Sequence, residues 1–212
     1  IKRINGQLEN SKEQLEQSYL DMIETLRYAV EAKDSYTRGH SDRVSEYSVL
    51  IGEKLGLPEE QIKILRIGGL FHDIGKIGIP DRILLKPEKL SDDEYSQIKN
   101  HPSIGAHILS SSAIFKNIIP IVKHHHERYD GNGYPSRLKG EEIPYVARIA
   151  AVADTFDAMT SRRSYRGPID IEKVKEEIKR CEGTQFDPQI AEVFLEILNN
   201  NFDKIQEIQE KY

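Results

Sequence analysis

Apolar positions recur at helical spacing along most of the chain. Val44, Tyr47, Ile51 and Leu55 form one such face. Ile62, Leu65 and Gly69 form another that runs up to His72, and Val146, Ile149, Ala150 and Ala153 a third, on a segment carrying Asp154 and Asp157. Ile190, Val193, Phe194 and Ile197 close the series. This period belongs to helices, and no segment sustains the alternation of a half-buried strand. Punctuation agrees: Gly56 and Pro58 mark a stop and a first turn, Ser91 with Glu94 reads as a capping box before Tyr95 and Ile98, Pro102 opens a helix after His101, and Asp187 caps one begun by Pro188. The prediction is an all-α compact helical bundle. Residues 74–90 and 127–144 are rich in glycine and proline and read as loops, and loops beside histidine-bearing helices are where chemistry tends to sit.

The first residues have a pattern of their own. Ile1, Leu8, Leu15, Met22 and Ala29 fall every seven residues, whereas the companion positions Ile4, Ser11, Ser18 and Thr25 are mostly polar. Two readings stand. Residues 1–33 are a linker helix that carries a signal from an upstream sensor and can pair two copies, or a helix packed on its own domain, residues 34–212. The absence of an initial Met favours a piece of a longer protein.

Composition narrows the class. At 212 residues, 38% hydrophobic and 31% charged, the chain suits one globular domain with an appendage. No stretch approaches the roughly 18 apolar residues of a spanning helix, and no signal-peptide pattern opens the chain. The single cysteine, Cys181, excludes an internal disulfide, reads as a half-buried thiol on a late helix and suits the reducing cytoplasm. A net charge of -5 argues against a nucleic-acid polymer as partner, so any phosphate site is local.

The candidate chemistry lies in histidines and aspartates at helix ends: His40, His72, Asp73, His101, His125 and His126, with Asp154 on the buried helix. Any one of these histidines would more often be a satisfied core residue or a cap. Together they make a poor core, because each buried imidazole or carboxylate needs a partner. Imidazole with carboxylate suits iron, manganese, zinc or nickel rather than calcium. Seven donors exceed what one ion uses, which favours two metals; in such sites the ions sit roughly 3.5–4 Å apart and clamp an in-line displacement at phosphorus. Asp73 is suited to bridge them. Lys76, three residues after Asp73, projects over the same site if the helix continues, as a charge for phosphate.

The pair in "LFHDIGKIGIP" resembles the motif of the HD superfamily of metal-dependent phosphohydrolases, and the chain is similar to its HD-GYP branch. "DSYTRGHSDRV", "FHDIGKIGIPDRIL", "HPSIGAHIL", "HHHERYDGNGYP", "ADTFDAMTSRRSYR" and "GTQFDP" follow in the branch's order from about Asp34 to Asn200. The resemblance implies a helical domain that hydrolyses cyclic di-GMP to linear pGpG, and in many members on to GMP, by attack of a hydroxide bridging two ions. It places metal ligands on His40, His72, Asp73, His101, His125, His126 and Asp154, with His125 and His126 on different ions, and a phosphate contact on Lys76. Asp34, Tyr134, Arg163 and Arg166 match positions that hold the ligand's phosphates and guanines, while His124 and His107 have supporting roles. Gly131 and Gly133 are expected to supply backbone angles closed to other residues. Where some members carry a glutamate ligand to a third ion this chain has Tyr36, so two ions are expected, with iron or manganese as the metals.

Two rivals remain open. One is a phosphohydrolase for another nucleotide, a mixed cyclic dinucleotide or a nucleoside monophosphate. The other is a module that binds cyclic di-GMP or a protein and signals through its first helix without hydrolysis.

Overall fold

The structure is a computed structural model, and it describes residues 11, 14, 17, 18, 21–26, 28, 33, 39–161, 167 and 169–212. The α-helices are α1 (His40–Lys54), α2 (Glu59–Phe71), α3 (Asp81–Leu84), α4 (Asp92–Ile98), α5 (His101–Ser110), α6 (Ile119–His124), α7 (Tyr145–Thr160), α8 (Ile171–Arg180), α9 (Pro188–Asn200) and α10 (Phe202–Lys211). Single 3-10 turns span Ile74–Gly78, Ala113–Phe115 and Gly140–Glu142. Among the described residues there is no strand, only an isolated bridge between Glu182 and Phe186, and no helix long and apolar enough to cross a membrane.

Helix α7 is the axis. It packs against α1, α2, α6, α8 and α9, and Ala147, Ile149, Ala150, Val152, Ala153 and Phe156 are buried along it. A helix buried on most of its sides belongs in the interior, and its alanines let neighbours approach closely. Phe156 anchors the packing, its ring edge-to-face with Tyr47 of α1 at 5.0 Å and with Phe194 of α9 at 4.9 Å. A second cluster joins Phe71, Ile74, Leu109, Phe115, Ile118 and Val122, and Ile23 packs into it with 7% of its surface exposed. Residues 21–26 are helical. Of the seven-residue series only Met22 is among the described residues, and it is 37% exposed; Ile1, Leu8, Leu15 and Ala29, with Ile4, lie outside them.

The caps behave as the sequence suggests at two points. Ser91 and Glu94 complete the capping box, and the Asp187 side chain accepts from the amides of Gln189 and Ile190. Three expectations need correction. Residues 74–90 are not one loop, since they contain the Ile74–Gly78 turn and α3; glycine and proline punctuate short helical turns as well as loops. Pro58 is the N-cap of α2 rather than its first residue. Cys181 is buried rather than half-buried, at the C-cap of α8, with its thiol donating to Glu177 at 3.5 Å.

Gly75 fixes how the second cluster meets the first donors. A Cβ there would collide with the carbonyl oxygen of His101 and lie 2.6 Å from the amide nitrogen of Gly105. Only glycine lets the 3-10 turn lie flat on α5.

Candidate metal centre

Helix termini deliver nearly every donor. His40 is the first residue of α1 and His101 the first of α5, His72 and Asp73 follow α2, and His125 and His126 follow α6. Asp154 projects from the middle of α7. Ends of several helices can meet at a point where their sides cannot, which is why the donors cluster at element boundaries. His40, His72, Asp73, His101 and His125 are buried, and His126 and Asp154 partly so.

The donor atoms fall into three overlapping groups, each with its atoms within 4.8 Å of one another: Asp73, His101, His125 and His126; His40, His72 and Asp73; and His72, His125 and Asp154. All seven residues expected from the sequence are therefore brought together, and Asp73 belongs to two of the groups. His125 and His126 share the first group, and His125 also belongs to the third.

The outer ring nitrogens show which atoms face the centre. His72 Nδ1 bonds the Gly69 carbonyl at 2.7 Å, His101 Nδ1 that of Ile98 at 2.8 Å, and His125 Nδ1 that of Val122 at 3.0 Å. Carbonyls only accept, so each Nδ1 donates its hydrogen there and Nε2 is the nitrogen turned toward the centre. His72 Nε2 is buried without a hydrogen bond and lies 3.4 Å from Asp73 Oδ2 and 3.9 Å from Asp154 Oδ1. Convergent lone pairs and carboxylates, with a buried nitrogen left without a bond, fit a divalent cation.

Electrostatics divides the histidines. Burial pushes His126 down to about 4 and His125 well below the ordinary imidazole value, the latter aided by its histidine neighbours. Both stand neutral, as ligation requires. His40 goes the other way: burial opposes its charge, yet bonds to Asp154 and Asp157 lift it to about 9. Burial likewise opposes the Asp73 charge, but Lys76, His72 and His101 hold this carboxyl well below its usual range. The bond from His40 does the same for Asp154 against its burial.

Lys76 reaches the centre by a different route from the one expected. Helix α2 ends at Phe71, and the 3-10 turn swings Lys76 Nζ to 2.8 Å from Asp73 Oδ2.

The loop 127–144 folds over the same centre. The Tyr134 ring lies against His126, with centroids 4.8 Å apart, and burial pushes its phenol well above the usual value, so it stays a donor. Gly131 takes a positive φ of 83° as expected. Gly133 does not; it is glycine for closeness, since a Cβ would meet the backbone nitrogen of Arg128 and sit 2.5 Å from Glu127 Cα and 2.6 Å from the His126 oxygen. His124 Nδ1 lies 3.5 Å from Glu127 Oε1, and His107 is exposed. Asp34, Tyr36, Arg163 and Arg166 lie outside the described residues.

Two functional positions were missed in the sequence. Asp157 is buried and bonds His40 Nδ1 at 2.7 Å, while Arg43 grips both its oxygens at 2.6 and 3.0 Å. Arg43 and the Asp157 carboxylate also meet Ser161, each at 3.0 Å. Its place three residues after Asp154 on a buried helix was the available signal. Glu127 is the other, a charge at the start of the segment 127–144 that reads as loop.

A family profile described as HD domain matches residues 24–190. The chain belongs to the HD domain family. Its similarity to the relatives and solved structures of the HD-GYP branch places it there. A cyclic di-GMP phosphodiesterase of Thermotoga maritima is 42% identical over 196 residues, covering 90% of this chain and 53% of the relative. A 3'3'-cGAMP-specific phosphodiesterase of Vibrio cholerae is 37% identical, covering 86% of this chain and 35% of the relative. The crystal structure of a cyclic GMP-AMP specific phosphodiesterase of Vibrio cholerae superposes with a TM-score of 0.68 at 21% identity, over 89% of this chain and 52% of that one, and so shares the fold. The chain spans about half the length of the first of these relatives or less.

Proposed function

We propose that this HD-GYP chain is a metal-dependent phosphodiesterase that opens cyclic di-GMP to linear pGpG, with GMP as a further product where the second bond is also cut. The observation that carries this reading is the sharing of Asp73 between two donor groups, with Lys76 Nζ 2.8 Å from its carboxylate. Two divalent ions, iron or manganese, held by His40, His72, Asp73, His101, His125, His126 and Asp154, would supply positive charge to the transferring phosphoryl group and lower the pKa of the attacking water.

The chain's own residues do the rest. Asp73 directs Oδ1 to His101 at 3.1 Å and Oδ2 to His72 at 3.4 Å and to His40 at 3.9 Å, so it spans the two halves of the site. Lys76 adds a cation where charge develops on the phosphate. Tyr134, kept protonated, donates from the loop side. Asp34, Arg163 and Arg166 hold the guanines and phosphates, as the resemblance implies. Residues 1–33 link this domain, itself cytoplasmic, to an upstream sensor and can pair two copies. Ile23 in the second cluster and the ion pair between Lys33 and Asp81 support contact between that segment and the domain.

A second reading is hydrolysis of a mixed cyclic dinucleotide, favoured by the similarity to the 3'3'-cGAMP-specific relative. Measuring kcat/KM on cyclic di-GMP, 3'3'-cGAMP and cyclic di-AMP with metal supplied separates them. The highest value is expected for cyclic di-GMP. A higher value for 3'3'-cGAMP would establish the second reading, and hydrolysis of none would refute both.

A further inference from the structure

The loop that brings Tyr134 over the metal centre is held from two sides. On the outside, its first half is stitched to the "GTQFDP" segment: the amide of Tyr129 donates to the Gln185 carbonyl at 3.2 Å, the amide of Asp130 to that of Thr184 at 2.8 Å, and Arg128 Nη1 to Gln185 Oε1 at 3.1 Å. Gln185 Nε2 is itself tied to Thr155 of α7 at 3.2 Å. None of these bonds reaches the second half, which carries Tyr134 out of the turn.

That half is held from inside. Glu127 is 3% exposed. Its Oε1 accepts from the Ser136 amide at 2.7 Å and its Oε2 from the Leu138 amide at 3.1 Å. The Tyr134 amide adds a bond to the His126 carbonyl at 3.2 Å. Glu127 therefore sits directly after the candidate ligand His126 and grips the chain on the far side of Tyr134. The two oxygens of its buried carboxylate each accept from one backbone amide, charge-assisted bonds that tie the carboxylate to both.

We propose that Glu127 is the positioning residue that fixes Tyr134 against His126 and so sets affinity for the cyclic dinucleotide. The chemistry of the side chain supports it. Two converging N–H donors need two acceptors, which a carboxylate supplies and an amide does not, since the NH2 of glutamine would face one of the donors. Because the grip lies on the loop rather than on the donor atoms, its loss displaces Tyr134 and leaves the metal ligands in place.

The kinetic part of the test rests on the phosphodiesterase reading; the exchange part does not. In Glu127→Gln, hydrogen–deuterium exchange at the Ser136 and Leu138 amides should quicken about tenfold or more, with exchange in α7 unaltered. KM for cyclic di-GMP should rise about tenfold or more, while kcat falls less than KM rises and bound metal per chain stays at the wild-type level. Glu127→Asp, one methylene short of both amides, should fall between and serves if the glutamine variant does not fold. Unaltered exchange at the two amides in the folded variant would overturn the proposal, as would loss of metal with KM unmoved. If the wild type hydrolyses no cyclic dinucleotide, the activity reading fails by itself, and the exchange result still decides the role of Glu127.

Discussion

His101 Nε2 and His125 Nε2 face each other at 3.3 Å across the centre of the site. Each ring gives its Nδ1 hydrogen to a backbone carbonyl, and His125 is held neutral by burial and its neighbours. Two inward lone pairs at this distance repel unless a cation or a proton lies between them. Removing metal with a chelator should therefore lower the unfolding temperature, and iron or manganese should restore it in a concentration-dependent way, by about 2.7 kcal/mol at a hundredfold excess over Kd. Differential scanning calorimetry with and without the ions checks this. A chelated protein as stable as the loaded one would contradict it.

Asp157 orients His40 as a carboxylate behind a metal-facing imidazole, and Arg43 holds the carboxylate. Such partners set ring orientation and basicity, and losing one typically costs about 10- to 100-fold in metal affinity. Asp157→Asn should weaken the ion that His40 holds by that factor in a chelator competition, with the helical circular dichroism unchanged.

His40 gives the site a pH dependence. Its folded value of about 9 lies above the 6.5 of the exposed imidazole, so folding favours its charged form. In metal-free protein this stabilisation, of order 3 kcal/mol, is fully present below pH 6.5 and is lost as pH rises through about 9. Ligation needs the neutral ring, so metal affinity should rise across the same window. Urea unfolding of the chelated protein and metal titration between these limits should show opposite trends.

Gly75→Ala places a methyl group against the His101 carbonyl and 2.6 Å from the Gly105 amide nitrogen. Backbone, unlike a flexible side chain, cannot step aside, and the 3-10 turn carrying Lys76 must lift from α5. A loss of about 2 kcal/mol or more in urea unfolding is expected.

The metal cluster was legible because histidine and aspartate at helix ends have few structural uses, and their order matched one family. The all-α architecture was legible from the period of Val44, Tyr47 and Ile51, or of Ile190, Phe194 and Ile197. Glu127 and Asp157 were not, because a charge in a loop or on a helix normally faces water, and only folding shows that these two are buried among partners. Gly133 was recognised as necessary for the wrong reason: sequence suggests a glycine's angles but not the backbone that passes beside it. Lys76 reached its place through a turn whose glycines had read as loop.

The decisive measurement is the fate of cyclic di-GMP, followed by chromatography, with anaerobically prepared protein of known metal content and iron or manganese supplied. About two ions per chain and conversion to pGpG or GMP that stops on chelation and in Asp73→Ala are expected. Intact substrate in the presence of two bound ions would contradict the phosphodiesterase reading.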